Sequence, residues 1–272
     1  MKVPMLKLNN GKEIPQIGLG LWMVKKEKEC VQTVKDALEL GYRHFDSAQW
    51  YENEQFLGPT LKQSGVPRED LFVTTKIKND NQWWVDLIPS FEESLEKLQM
   101  DYVDLLLLHF PVTELRRAAW HRMEELAKDG RAKSIGVSNY TIKHLEELLS
   151  EAEIKPVVNQ VELHVFLQQP ELLDYCKQHD ILVEAYSPLA HGFGMDDPAL
   201  ASIGKKHGKS PAQIMIRWCV EQDLVVLPKT VHKDRLQENL AVFDFKLDQA
   251  DMTELKNLEK GYRTAWDPTH IP

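Results

Sequence analysis

Four polar side chains of this sequence lie where short apolar runs end. Asp46 ends the run HFD, and Tyr51 follows five residues later. Lys76 ends LFVTTK and His109 ends VDLLLLH, so steps of 30 and 33 residues separate Asp46, Lys76 and His109. Each step is about the length of one strand–helix unit, and in a (β/α)8 barrel the carboxyl ends of the strands meet at one mouth. We therefore expect the four side chains to converge there.

These residue types suit the transfer of a proton to a carbonyl oxygen. A free tyrosine titrates near pH 10, roughly, which is too high for an efficient acid at neutral pH. A neighbouring Lys76 ammonium would favour the phenolate and lower the pKa of Tyr51, while Asp46 would keep that ammonium charged and oriented. His109 can hydrogen-bond the substrate oxygen or relay a proton. No metal is required, and the histidines show no HExxH or other metal-ligand spacing.

Each of the four residues also has a structural interpretation. Asp46 could cap a strand end, and Tyr51 could be an aromatic residue of a surface loop. Lys76 could be a solvated cation, and His109 could be a core histidine with satisfied hydrogen bonds. The shared position at strand ends is what favours the catalytic interpretation.

The elements that would carry these residues can be predicted from the alternation of apolar runs and amphipathic segments. Runs such as VDLLLL and DLVVL are typical of parallel strands covered on both faces. Strands are predicted at residues 17–21, 44–46, 71–76, 103–108, 134–137, 157–160, 182–185 and 224–227. Helices are predicted at residues 27–40, 89–99, 121–128, 141–149, 170–178, 211–221 and 233–240. The pattern indicates an α/β chain, residues 1–272, folded as a single (β/α)8 (TIM) barrel domain. In the first residues, Asn10-Gly11 between two short runs predicts a β-hairpin, which we place at the bottom of the barrel.

Composition narrows the function classes. The chain has 272 residues, a net charge of -9 and a pI of about 5.6. An acidic surface argues against binding to nucleic acid or to anionic membranes. Three scattered cysteines, and no apolar run long enough for a signal peptide core or a membrane span, favour a cytoplasmic protein. We expect a monomer whose partner is a small molecule.

Eight characteristic segments follow in order along nearly the whole chain: IPQIGLGLW, GYRHFDSAQWYENE, VTTKI, DYVDLLLLHFP, SIGVSNY, VVNQVELH, VEAYSPLA and VVLPKTVHKDRLQEN. The Rossmann fingerprint is absent, because Gly18-Leu-Gly20 lacks the third glycine, and no P-loop occurs. With these segments the sequence resembles the aldo-keto reductase family, in particular its compact microbial members. The resemblance implies reduction of aldehydes and ketones with NADPH, and a tetrad of Asp46, Tyr51, Lys76 and His109 with Tyr51 as general acid.

The resemblance also implies where the cofactor lies. Residues that match the nicotinamide and pyrophosphate sites are Ser138, Asn139, Gln160, Tyr186, Ser187 and Leu189. Residues that match the adenosine 2′-phosphate and adenine sites are Lys229, Thr230, Val231, Arg235, Glu238 and Asn239. Lys229 and Arg235 flank a predicted helix start, which is an anion site by itself. The structural alternatives are helix capping and loop hydrogen bonding for Ser138, Asn139 and Gln160, and a tight strand-end turn for the segment SPLA. For Lys229 and Arg235 the alternative is a solvated face.

Two departures from the family pattern concern the substrate pocket. Phe110 replaces the common tryptophan after the histidine, and the segment after Pro111 is short, as is the C-terminal tail. These features suggest an open pocket. Its predicted lining is Trp22, Trp50, Trp83, Phe110 and His191. Trp83 could instead be a packing aromatic.

Two other functions remain open at this stage. The same barrel could bind the cofactor as a regulatory subunit, like potassium-channel β subunits, although a binder need not keep all four tetrad residues. An unrelated barrel isomerase could use LPKTVHKDR for a phosphate substrate, but it would leave the tetrad without a role.

Overall fold

The computed structural model describes residues 3–272. Eight parallel strands form one sheet whose order follows the chain. They are β3 (Leu19–Gly20), β4 (His44–Asp46), β5 (Phe72–Ile77), β6 (Leu105–Leu108), β7 (Ile135–Ser138), β8 (Val158–Glu162), β9 (Leu182–Tyr186) and β10 (Val225–Leu227). A parallel bridge between Ile17 and Val226 joins the two edges, so the sheet closes. The predicted (β/α)8 barrel is confirmed. At the majority of strand ends, the observed limit differs from the predicted one by one or two residues.

Helices surround the barrel. They are α1 (Glu27–Leu40), α2 (Glu54–Gln63), α3 (Leu87–Leu98), α4 (Arg116–Lys128), α5 (Ile142–Leu149), α6 (Pro170–Gln178), α7 (Pro198–His207), α8 (Pro211–Val220), α9 (Lys233–Leu240) and α10 (Gln249–Lys256). The sequence pattern missed α2, α7 and α10. In α2 an internal Pro59 interrupts the helical signal, and α10 buries only Asp251 and Leu255, so its apolar stripe is weak.

The N-terminal hairpin covers the bottom of the barrel, as predicted. It consists of β1 (Met5–Lys7) and β2 (Glu13–Pro15), paired antiparallel. Leu8 and Ile14 are buried in a cluster with side chains from inside the barrel, among them Leu107. This apolar layer closes the lower end of the lumen.

Two ionisable side chains are enclosed within the strands. Glu184 on β9 is fully buried, and Gln160 Nε2 donates to its Oε2 at 2.9 Å, while Oε1 lacks a hydrogen-bond partner in residues 3–272. Burial and the nearby Asp46 raise the pKa of Glu184 to about 8, although Gln160 and Lys76 oppose the shift. Burial lowers the pKa of His44 to about 3. Both side chains are therefore neutral at physiological pH.

Replacing Glu184 by glutamine should change how stability depends on pH. The unfolded chain releases this proton near its ordinary pKa of 4.5, but the folded chain keeps it until about 8. The folded state of the native protein therefore loses stability as pH rises through that window. The Glu184→Gln variant cannot ionise there, so its unfolding free energy relative to wild type should increase from pH 5 to pH 8. Urea unfolding at both pH values measures this difference. Glu96→Gln on the exposed side of α3 is the control, and an equal response from both variants would contradict the burial argument.

The close contact between α2 and α3 should require a glycine at position 58. A Cβ atom added at Gly58 would lie 1.9 Å from the carbonyl oxygen of Leu98, which belongs to backbone and cannot rotate away. Alanine normally stabilises a helix relative to glycine, yet here Gly58→Ala should destabilise the protein by about 1–3 kcal/mol through overpacking. Denaturant unfolding checks this against Gln63→Ala, an exposed site on the same helix, which should change little. A stabilised Gly58→Ala variant would contradict the close packing.

Candidate active site

Lys76 is the centre of a buried polar cluster at the mouth of the barrel. Its side chain on β5 is fully buried, and Nζ donates to Asp46 Oδ1 at 2.6 Å and to the Ser47 carbonyl oxygen at 2.9 Å. Its third contact is the Tyr51 hydroxyl at 3.3 Å. Tyr51 lies in a short 3-10 turn, Gln49–Tyr51, that begins three residues after β4 ends. The strand ends therefore bring together Asp46, Tyr51 and Lys76.

The charge state of this cluster follows from burial and from the ion pair. Burial lowers the pKa of Lys76, but the Asp46 carboxylate and Tyr51 raise it more, so the ammonium stays charged. Burial raises the pKa of the Tyr51 phenol; Lys76 lowers it and Asp46 raises it. The net direction is upward, because desolvation outweighs the ammonium. The expected effect of Lys76 is present, but Tyr51 in this structure keeps its proton at neutral pH.

His109 directly follows β6 and completes the cluster. Its ring lies edge-on to the Tyr51 ring, with centroids 5.7 Å apart. Burial, and secondarily the Lys76 charge, lowers the pKa of His109 well below its usual range, so the imidazole is neutral. Its Nδ1 atom is buried without a hydrogen-bond partner in the described chain. The neutral ring can offer one N–H toward the cavity that it lines.

Gln160 connects the cluster to the next strands. Its Nε2 donates to Asp46 Oδ2 and to Glu184 Oε2, both at 2.9 Å, so the two amide hydrogens are used. Ser138 Oγ donates to the Gln160 backbone carbonyl at 2.8 Å. The remaining Oε1 atom of Gln160 is left as the acceptor of this side chain.

Asn139 and Tyr186 form a second polar group on the wall. Asn139 has φ of +65° and donates through Nδ2 to the His109 carbonyl oxygen at 2.9 Å and to Ser138 Oγ at 3.1 Å. The Tyr186 hydroxyl donates to Asn139 Oδ1 at 2.8 Å. The Asn139 amide is thus held by three contacts and fixes the Tyr186 ring beside the cavity.

Two exposed cations without an ion-pair partner among the described residues lie in the segment that follows β10. Lys229 follows β10 and Arg235 lies in the first turn of α9; both are exposed, and neither forms an ion pair with a residue in 3–272. Lys233, between them in sequence, binds Glu39 at 2.6 Å and lies 3.4 Å from Asp36. Two of the three permanent cations in this segment are therefore available to an anion.

The remaining predicted cofactor residues lie in the same turn and helix. Thr230 is buried, and its Oγ1 accepts the backbone N–H two residues later at 3.2 Å. Val231 is half-buried. Glu238 accepts a hydrogen bond from Ser210 Oγ, and Asn239 is buried. Glu238 is thus engaged within the protein.

A cavity of about 820 Å³ opens at the mouth. The predicted site residues along its wall are Trp22, Asp46, Trp50, Tyr51, His109, Ser138, Asn139, Gln160, Tyr186, Ser187, Leu189, His191 and Lys229. His191 Nε2 lies 3.0 Å from Ser187 Oγ, and its ring is 5.4 Å from that of Trp22. Trp83 is 56% exposed and lies outside the wall, because the turn that carries it faces solvent. Phe110 also lies behind the wall and packs edge-on against Trp266, with centroids 5.6 Å apart.

The C-terminal segment closes part of the pocket that the sequence had predicted to be open. Thr264, Ala265 and Trp266 line the cavity, and the Trp266 ring lies 5.4 Å from the His109 ring. Sequence reasoning missed these residues because the tail is short and lacks an apolar pattern. A tryptophan in the polar segment GYRTAWDPTH was the available signal.

The described residues, 3–272, offer no alternative site of two other kinds. That part of the chain contains no group of three or more His, Cys, Asp or Glu side chains placed to hold a metal ion. None of its helices combines the length and the apolar character that a membrane span needs.

Comparisons with known proteins identify the family of this chain. The profile of the Aldo/keto reductase family matches residues 16–260. A glyoxal reductase of Bacillus subtilis is 45% identical over 266 residues, which cover 98% of this chain and 96% of that protein. The crystal structure of an aldo-keto reductase from a deep-sea metagenome superimposes with a TM-score of 0.95 at 40% identity, covering 99% of this chain and all of the other. A Bombyx mori aldo-keto reductase in complex with NADP gives 0.92 at 34% identity, covering 97% and 95% of the two chains. The chain therefore belongs to the aldo/keto reductase family of oxidoreductases.

Proposed function

We propose that this protein reduces small aldehydes and α-dicarbonyls to alcohols with NADPH, and that Tyr51 is the general acid. The observation that carries the proposal is the buried Lys76 ammonium, which contacts both Asp46 and the Tyr51 hydroxyl beside an open cavity. This arrangement has an evident use when a carbonyl oxygen needs a proton, and none in a passive binding site.

The residues present fit a nicotinamide dinucleotide phosphate. Lys229 and Arg235 are exposed cations without a partner in the described chain. The N-cap residue of α9, His232, makes no side-chain cap, which leaves backbone N–H groups for a phosphate. At the other end of the cavity, Gln160 Oε1 and Ser138 Oγ can accept from a carboxamide. The bound cofactor supplies a hydride to the carbonyl carbon. The NADP-bound Bombyx mori relative supports the same assignment.

The chain's own residues would supply the proton and its control. Tyr51 donates its hydroxyl proton to the carbonyl oxygen as negative charge develops there. Lys76 stabilises the phenolate that results, because its ammonium is held 3.3 Å from the same oxygen by Asp46. His109, being neutral, orients the carbonyl oxygen by donating a hydrogen bond without competing as an acid.

The shape of the cavity favours small or apolar carbonyl compounds. Its rim carries the exposed rings of Trp22, Trp50 and Trp266, while most polar groups of the wall belong to the cluster around Lys76 and to the proposed cofactor site. Such a pocket binds through apolar contact and orients its ligand with a few polar anchors. The glyoxal reductase relative indicates α-dicarbonyls as the first substrates to assay.

Two alternative functions can be distinguished from this proposal, one by family membership and one by an assay. Membership of the family argues against an unrelated barrel isomerase. A regulatory subunit on the same barrel would bind NADPH without turnover. Loss of NADPH absorbance with methylglyoxal as substrate distinguishes the reductase from such a binder.

The Tyr51→Phe variant should lose turnover and retain NADPH binding. The ring is kept and only the acidic hydroxyl is removed, so kcat should fall by roughly 10²–10⁴-fold. Steady-state kinetics and a fluorescence titration with NADPH measure the two properties. Tyr140→Phe is the matched control, because Tyr140 is buried and its hydroxyl lacks a hydrogen-bond partner in residues 3–272. Activity of Tyr51→Phe within a few-fold of wild type would refute the role of Tyr51.

The Arg235→Ala variant should weaken NADPH binding and leave NADH binding nearly unchanged. NADH lacks the 2′-phosphate, and one charge-assisted hydrogen bond contributes about 1.5–3 kcal/mol, which is about tenfold or more in Kd. Dissociation constants of both cofactors for both proteins test this selectivity. Lys233→Ala is the control, since Lys233 is already engaged by Glu39 and should have a smaller effect. Equal losses of affinity for NADPH and NADH would show that Arg235 does not bind the 2′-phosphate.

A further inference from the structure

The carboxylate of Glu162 binds residues 264 and 265 of the C-terminal segment. Glu162 is the last residue of β8 and its side chain is fully buried. Its Oε1 accepts the Thr264 backbone N–H at 2.6 Å and the Thr264 hydroxyl at 2.5 Å, and its Oε2 accepts the Ala265 N–H at 3.0 Å. Arg263 Nη1 lies 3.9 Å from Oε2, and His164 Nε2 lies 3.2 Å from Oε1.

The bonding pattern requires an ionised acid at this position. Burial raises the pKa of Glu162, but the hydrogen bonds from His164 and Thr264 outweigh it and hold the pKa below its ordinary value. A carboxylate is an acceptor at both oxygens, whereas a glutamine amide would turn one of them into an N–H donor. That donor would face the tail amides and oppose them. An isosteric change to glutamine therefore removes the acceptor of one tail amide, neutralises the acceptor of the other and leaves the barrel strand in place.

The attachment places one aromatic ring over the reacting centre. Trp266 directly follows the two residues that Glu162 binds, and its ring is 5.4 Å from His109. Trp266 is 47% exposed and forms part of the cavity wall, so one face remains open to a ligand. A carbonyl oxygen placed between Tyr51 and His109 would direct its substituent toward this ring.

We propose that Glu162 is a positioning residue that holds residues 263–266 across the cavity, and that Trp266 thereby sets a preference for carbonyl substrates with an aromatic substituent. The inference rests on the proposed reductase function for its substrate part. Its structural part does not depend on catalysis.

The first experiment measures the attachment without using activity. Hydrogen–deuterium exchange is followed at the Thr264 and Ala265 amides of the full chain with NADPH present. In Glu162→Gln these amides should exchange about tenfold faster or more, because each loses a charged acceptor. The matched control is Glu124→Gln. Glu124 is also buried and accepts two backbone amides, but these belong to Glu153 and Ile154, so its variant should leave the tail amides protected.

The second experiment measures the substrate preference. Methylglyoxal and phenylglyoxal share the dicarbonyl group and differ by a methyl against a phenyl. In Trp266→Ala the KM for phenylglyoxal should rise by about five- to tenfold, the scale of a lost aromatic pair, with kcat little changed. The KM for methylglyoxal should stay within about twofold. Glu162→Gln should reproduce this split, and the double variant should be no worse than Trp266→Ala, because both changes remove one contact.

The possible outcomes decide each part. Unchanged tail exchange in Glu162→Gln overturns the positioning role. A phenylglyoxal KM that is insensitive to Trp266→Ala overturns the specificity role. If Glu162→Gln does not fold, Thr264→Val is the substitute, because it removes the hydroxyl donor to Glu162 without changing the barrel. This variant should raise both the exchange rate of the Ala265 amide and the KM for phenylglyoxal. If wild type reduces neither substrate, the reductase proposal fails and takes the specificity role with it, while the exchange result still decides the role of Glu162.

Discussion

The buried ion pair between Lys76 and Asp46 is the interaction on which the mouth of the barrel depends. Removing both charges from water is costly, and their attraction offsets this only when the remaining polar atoms are also bonded. Here Ser47 and Tyr51 occupy the other contacts of the ammonium, and Gln160 occupies the second oxygen of Asp46. The result is one connected network from β4 to β9 whose geometry cannot change at one residue alone.

The same network explains why neighbouring groups are neutral. Glu184 shares Gln160 with Asp46, so two carboxylates would lie on one amide if both ionised. Burial and the Asp46 charge keep a proton on Glu184, and the Lys76 charge together with burial keeps His109 uncharged. The cluster therefore concentrates one negative and one positive charge beside the Tyr51 phenol, which releases its proton in the proposed mechanism.

Much of the fold and of the tetrad could be predicted because strand ends are visible in sequence. Continuous apolar runs locate parallel strands, and a polar residue that ends such a run must lie at the mouth. The apolar pattern does not predict the position of the C-terminal tail. Thr264 and Ala265 are held through their backbone amides by a carboxylate that is distant in sequence, and backbone amides have no sequence signature. The apolar pattern also does not predict whether the pKa of Tyr51 rises or falls, because that depends on how completely the folded structure excludes water from the phenol. Trp83 shows the converse limit, because an aromatic residue near a strand end need not turn inward.

The contrast in exposure between Lys76 and the two free cations has a consequence for ionic strength. Lys229 and Arg235 face water, where at about 0.15 M salt charges more than about 8 Å apart are largely screened. Lys76 is enclosed by protein, and mobile ions do not reach it. Added salt should therefore weaken the attraction of anions to Lys229 and Arg235 and leave the charge state of the cluster around Lys76 intact. The two halves of the site respond to the medium as separate electrostatic environments.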